Sequence, residues 1–304
     1  MTFATTTINE LSAQTTVDIA PDGDVVFVIG PSERRLRVYS LFVKTASPVL
    51  AAMLHPNFEE GQQLAKTGSA EIALPEDDAE AMEIILNVIH GRNDQVQDTL
   101  SPNELLQVAI TSDKYDCCVP LAFAIRIWLR RKDISNPEEL WASALVACLF
   151  REEEAFAETT SALVFNHAGS YVDLAKKYEA IMDPVMMLYT AAMLEESRNK
   201  LRMNLIMDVL NGDWHCGSSS KKGRHRPEWL TEFVRRTGNL GNTAVFSTLE
   251  TLDKGGAASI DPFGNYGRES LFNSITDKIR KQHHDTGGLC LWCVRTREEH
   301  EKHS

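Results

Sequence analysis

Cys290 and Cys293 stand three residues apart near the end of this 304-residue chain, with Leu291 and Trp292 between them. Two thiolates at that spacing supply half of a tetrahedral zinc site. A second pair is needed, and His215/Cys216 or His283/His284 offer it, with His300 and His303 further on. The separations match no standard finger, so packed or surface thiols are the competing reading. A redox pair would want the cysteines at a helix N-terminus in a βαβ setting, and the surrounding pattern contains no such setting. A second chemical feature is the cation cluster Lys221, Lys222, Arg224 and Arg226, followed by Arg235 and Arg236. Such runs serve as solvated loops or, alternatively, as nuclear-import or anion-binding patches.

Other chemistry is excluded by pattern. The sequence has no P-loop, no G-x-G-x-x-G after a strand, no G-x-S-x-G and no H-E-x-x-H, so no enzymatic activity is expected. Asp18 to Asp24 has the polarity of a calcium loop, but Ala20 fills a ligand position and Ile29 stands where a bidentate Glu belongs. Glu152-Glu153-Glu154 reads as a solvated helix face. Met182, Met186, Met187 and Met193 read as core filler. The net charge of −12 argues against a general nucleic-acid surface. No apolar run approaches a membrane span, and Met1 to Gln14 lacks the features of a signal peptide. An intracellular location, cytoplasm and/or nucleus, is expected. Cys117, Cys118 and Cys148 lie in apolar helical contexts and read as core thiols rather than a disulfide framework.

The elements that must position these residues follow from periodicity. Residues 1–16 are polar and Thr-rich and read as a disordered tail. Pro21-Asp22-Gly23 is a turn. Val25 to Ile29 is an unbroken apolar run, as in a strand buried on both faces. Leu36 and Val38 alternate with Arg35, Arg37 and Tyr39 in a half-buried strand. Pro48 opens a short helix with Val49, Leu50, Met53 and Leu54. Gly61 to Ala70 is a polar loop, and Ile72 and Leu74 mark a third strand. Met82, Ile85, Leu86 and Ile89 form the stripe of a core-facing helix, with Gly91 at its C-terminal end. Ser101-Pro102-Asn103-Glu104 is a capping box, and a further helix carries Leu121, Ile125, Trp128 and Leu129.

From Asn136 onward the pattern is helical. One helix carries Leu140, Trp141, Ala144, Leu145 and Cys148, and a second spans about Glu152 to Phe165. A third begins at Asp183-Pro184, and a fourth with Leu201, Leu205 and Val209 stops at Asn211-Gly212. Residues 212–304 are richer in Gly, Ser, Lys and His, with short helical stretches only. The expected organisation is a tail over 1–16, a mixed domain over 17–132, a helical extension over 133–211 and a partly helical region over 212–304.

Five ordered stretches resemble a BTB/POZ domain: Asp24-Val25-Val26-Phe27-Val28-Ile29-Gly30, Leu36-Arg37-Val38-Tyr39-Ser40, Ala46-Ser47-Pro48-Val49-Leu50 with Met53-Leu54, Phe58-Glu59-Glu60-Gly61, and Ile72-Ala73-Leu74-Pro75-Glu76-Asp77-Asp78. The chain is similar to fungal BTB proteins with a helical C-terminal extension. The resemblance implies an α+β fold: a small three-stranded sheet with helical hairpins, followed by a mainly α-helical region. It also implies a protein–protein interaction module, an adaptor or scaffold. Phe58-x-Glu60 resembles the loop with which BTB adaptors dock a cullin scaffold, Phe58 as the anchor and Glu60 as the orienting residue. The competing reading packs Phe58 into its own domain. Homodimers are a further family trait, in some members driven by an N-terminal helix. Here only Ile8-Asn9-Glu10-Leu11 would nucleate one. The alternative function is a zinc-supported nuclear regulatory protein using the basic stretch.

Overall fold

The computed structural model of the chain describes residues 16–130, 134, 136–180, 182–211 and 288–297. The chain divides into two compact units, one ending at Arg131 and one beginning at Lys132.

The first unit is built on β2, Val25–Ile29. Val25, Phe27 and Ile29 are fully sealed while Val26 and Val28 are half-buried. The run therefore has one closed and one partly open face, rather than two closed ones. The sheet has four strands in the order β1-β3-β2-β4. β3, Arg34–Val38, pairs antiparallel with β2, and β4, Ala70–Leu74, pairs with it in parallel. The register aligns Phe27 with Leu36 on one side and Ile72 on the other, and Ile29 with Leu74. All the sealed side chains thus share one face, which a one-residue slip would turn to solvent. Each contributes about 1.5–3 kcal/mol.

A three-stranded sheet was expected; the fourth strand is β1, Val17–Asp18, parallel to β3. Two residues carry no readable period. Tertiary bonds hold the strand instead: Arg37 Nε donates to Asp18 Oδ1 at 2.8 Å and Arg92 Nη1 to the Asp18 carbonyl at 2.9 Å.

The connection from β3 to β4, which run in opposite directions on either side of β2, consists of α1 (Ser40–Ala46), α2 (Pro48–Met53) and α3 (Glu59–Thr67). The N-cap of α1, Tyr39, has no capping side chain. Asp24, at the mouth of β2, does the capping: its carboxylate accepts from the Ser40 N–H at 2.7 Å and the Ser40 hydroxyl at 2.6 Å. Burial pushes this carboxyl up, but the Ser40 hydrogen bonds outweigh it and hold its pKa below the ordinary value. Ser47 caps α2 by accepting from the Leu50 N–H, and its hydroxyl donates to the Tyr115 carbonyl at 2.5 Å.

α3 occupies part of the stretch expected to be a polar loop. It has a single large apolar residue, Leu64, so hydrophobic periodicity is silent there. Its local signals are end effects: Glu59 and Glu60 in the first turn, Lys66 in the last and Gly68 as a left-handed cap.

α4 (Ala79–Ile89) buries Met82, Ile85 and Leu86. α5 (Pro102–Lys114) has both arms of its capping box in place. α6 spans Ala122–Trp128. Asp77, almost fully buried, ties the β4–α4 turn to the end of α5. It accepts from Lys114 Nζ at 2.7 Å and the Tyr115 hydroxyl at 2.8 Å. Burial, with that hydrogen bond, pushes the Tyr115 phenol well above its ordinary value.

The second unit centres on α7, Pro137–Phe150, capped by Asn136. Leu140 to Phe150 is buried almost without interruption, so α7 is an interior helix and not one with a single apolar side. α8 (Glu153–Asn166) packs along it, with Phe156, Leu163, Val164 and Phe165 buried. α9, Tyr171–Lys176, starts at the Ser170 cap.

α10 is one continuous helix, Pro184–Asn211, where two were expected. Ahead of Leu201 the sequence runs through Glu195, Glu196, Arg198 and Lys200; Glu196 and Lys200 face solvent, but the arginines turn inward. Arg198 and Arg202 are buried. Arg198 Nη1 donates to the carbonyls of His167 (3.2 Å) and Gly169 (2.7 Å), its other arm pairs with Glu195, and its guanidinium lies 4.5 Å from the Tyr171 ring centre. Inward charges erase the apolar period without ending the helix. Finally α11, Leu291–Thr296, packs on α8 and α10.

Candidate functional site

Phe58 is the N-cap of α3, in extended conformation (φ −105°, ψ 159°). Its N–H donates to the His55 carbonyl at 2.9 Å and its carbonyl accepts from the Gln62 N–H at 3.0 Å. The backbone is thus fixed on both sides of the ring. The residue is 54% exposed, unlike the sealed apolar residues of the sheet. Glu60 sits half-buried in the first turn of α3, one residue beyond exposed Glu59.

Gly61 explains how this loop is held. It is buried, and a Cβ there would lie 2.1 Å from the His55 carbonyl oxygen. Only glycine lets the start of α3 press against the Leu54–His55 backbone. The sequence pattern places Gly61 at the start of a polar loop; its role depends on where the His55 carbonyl lies, which no local pattern marks.

Two further exposed apolar groups carry no signal in the hydrophobic pattern, which marks core-facing stripes. Leu41 (71% exposed) and Phe42 stand on α1. The Phe42 ring lies 5.1 Å from that of His90, with Tyr39 against both. His90 Nε2 accepts from the Tyr39 N–H at 3.1 Å, so Nδ1 carries the proton donated to the Leu86 carbonyl at 2.8 Å. Burial pushes the His90 pKa down; Arg92 adds to this and the Leu86 carbonyl opposes it. The second group is Val119, Phe123 (80% exposed) and Ile127, four residues apart on and just before α6. Arg126 lies over the Phe123 ring at 5.9 Å.

In the second unit, Cys290 is the N-cap of α11 and Cys293 its third residue. Cys293 is buried beside Leu289, Leu291 and Val294. The pair thus stands at a helix N-terminus, with Gly288 two residues before Cys290 and the helix starting at Leu291. Among the described residues no group of three or more His, Cys, Asp or Glu could hold a metal ion. His215, Cys216, His283, His284, His300 and His303 lie outside the described residues, as do Lys221, Lys222, Arg224, Arg226, Arg235, Arg236 and the Ile8–Leu11 stretch. Cys117 and Cys148 are buried thiols, and burial pushes the Cys117 thiol up to about 11.

No helix among the described residues is long and apolar enough to cross a membrane. Compared with known proteins, the chain matches no family model, no curated protein and no solved structure.

Proposed function

We propose that this chain is a non-enzymatic, intracellular protein–protein interaction module of the BTB/POZ type, an adaptor or scaffold whose docking element is the start of α3. The observation that carries the reading is the exposure of Phe58 on a rigid backbone. An aromatic ring left in water, with its main chain bonded on both sides and Gly61 locking the turn beneath it, has the character of an interface anchor. A Phe serving its own core would be sealed, as Phe27 is. The acidic pair after it adds charge next to the anchor, which suits orientation of a partner more than affinity. A cullin scaffold of a ubiquitin ligase is the partner that the Phe58-x-Glu60 resemblance favours.

The test is co-purification of the full chain with a cullin, wild type against Phe58→Ala/Glu60→Ala. Loss of an interface anchor costs at least about 2 kcal/mol in binding, roughly a thirtyfold weaker complex, while the melting temperature stays nearly unchanged. Undiminished cullin binding by the double variant, or a stability loss of about 3–5 kcal/mol as for a core Phe, overturns the reading.

A further inference from the structure

The CxxC segment is held on both flanks. Before it, Gly288 (φ +76°) lies so close to α8 that a Cβ would stand 1.8 Å from the Ala157 carbonyl oxygen, and the Leu289 N–H donates to the buried Thr160 hydroxyl at 2.9 Å. After it, Arg295 Nη1 donates to the Cys148 carbonyl at 2.8 Å and Arg297 pairs with Asp183 at 2.7 Å. Between these anchors the first turn of α11 closes through the Val294 N–H, which donates to the Cys290 carbonyl at 3.2 Å. Helical rise and radius then put Cα atoms three residues apart at about 5 Å, inside the ~4.4–6.8 Å window for a disulfide. The two sulfurs differ in access: Cys290 is half-buried, and Cys293 is 4% exposed. Both are thiols in the structure.

We propose that Cys290 and Cys293 form a reversible intramolecular disulfide, which makes the start of α11 a thiol-exchange site for low-molecular-weight disulfides of the glutathione class. The accessible Cys290 thiolate attacks one sulfur of the small disulfide, forming a mixed disulfide and releasing one small thiolate, which takes up a proton. The Cys293 thiolate then attacks Cys290 Sγ, forms the internal bond and releases the second small thiol. Two electrons pass from the protein dithiol to the small disulfide, and two protons leave on the released thiols. The flanking anchors fix the segment in both stages, so ring closure orders little additional chain.

No Lys or Arg lies between the two cysteines, so trypsin leaves both in one peptide. The full-length protein is equilibrated in buffers of rising oxidised-to-reduced glutathione ratio, quenched in acid, alkylated, digested and mapped by mass spectrometry. The expected result is a peptide lighter by two hydrogens that refuses alkylation, accumulates as the ratio rises and disappears with excess reduced glutathione. Cys293→Ser retains glutathione on Cys290, and Cys290→Ser shows neither adduct nor internal bond. Because Cys290 is half-buried, Cys290→Ser remains a readable control if Cys293→Ser folds poorly. Full alkylation of both thiols at every ratio in folded wild type overturns the proposal. So does a lasting Cys290 adduct without the internal bond, a disulfide to Cys148 or Cys216, or stoichiometric zinc that shields both thiols.

Discussion

The two units close their cores in opposite ways. In the first, strands and helices adjacent in sequence do most of the work, and every sheet partner of β2 lies within the same stretch of chain. In the second, α7 and α8 pack as sequence neighbours, but the structure also takes in a segment from far along the chain. Leu289 bonds Thr160 across 129 positions, and Arg295 bonds Cys148 across 147. A core finished by a distant segment has a single point of failure; a core finished by a sheet ladder does not.

The largest effect should therefore come from ending the chain after residue 287. That change strips four buried apolar side chains, Leu289, Leu291, Cys293 and Val294, from the second unit. At about 1.5–3 kcal/mol each for large side chains, the loss is on the order of 5 kcal/mol. It is comparable with the whole stability of an ordinary domain. Hydrogen exchange should become fast throughout α7 and α8 while β2 and α4 keep their protection. A fragment of residues 16–132 should melt cooperatively on its own. Retained protection in α8 after the truncation would show that the C-terminal segment merely decorates a finished core.

A matched pair of substitutions sharpens the same contrast. Gly61→Ala and Gly288→Ala each drive a methyl into a carbonyl oxygen, His55 in one unit and Ala157 in the other. Gly288 also has positive φ, which adds strain for any other residue. Each should cost about 2–4 kcal/mol, and each only in its own unit. Gly288→Ala should in addition expose Cys293 to alkylation, since the segment lifts from α8. Thermal melts of the two variants, followed by exchange mapping, check both statements. Equal damage to both units from either substitution would break the comparison.

What could be read from the sequence divides along the same line. The first unit was legible because its determinants are local: the Val25–Ile29 run, the Pro48 start, the stripe Met82-Ile85-Leu86 and the Ser101–Glu104 box all lie within one element. β1 and α3 were not, because one is too short to show a period and the other has almost no apolar residues. In the second unit α7 and α8 announced themselves. The continuity of α10 did not, because Arg198 and Arg202 turn charges inward. The site divides in the same way. The Phe58-x-Glu60 loop was visible as a motif, whereas its lock at Gly61 needed the position of the His55 carbonyl. The CxxC was visible as a pair, but its place at the head of α11 depends on an anchor to Thr160 that no local pattern encodes.

The smallest expected effect is a pH dependence confined to the first unit. The Tyr39 N–H needs an unprotonated His90 Nε2, and burial holds the His90 pKa below its ordinary value near 6.5. The folded state therefore favours the neutral ring, and the unfolded chain takes up a proton first as pH falls. The stabilisation His90 contributes is fully present above about pH 6.5 and is lost as the pH falls through the unfolded value toward the lower folded one. Asp24 carries the same sign at lower pH: its folded pKa is depressed by Ser40, so its contribution is present above the ordinary carboxylate value and vanishes below it. The His90 component should be modest, because the ring is only partly shielded. In the second unit His167 also has a pKa lowered by burial, so a global melt would mix the two. The separating measurement is ring-proton NMR of His90 with exchange of the Tyr39 amide followed from pH 7.5 to 5. The Tyr39 amide should lose protection as His90 titrates, and His90→Gln should remove the pH dependence of that amide while leaving that of the His167 region. A His90 titrating above 6.5, with the Tyr39 amide indifferent to it, would show that the ring does not hold the start of α1.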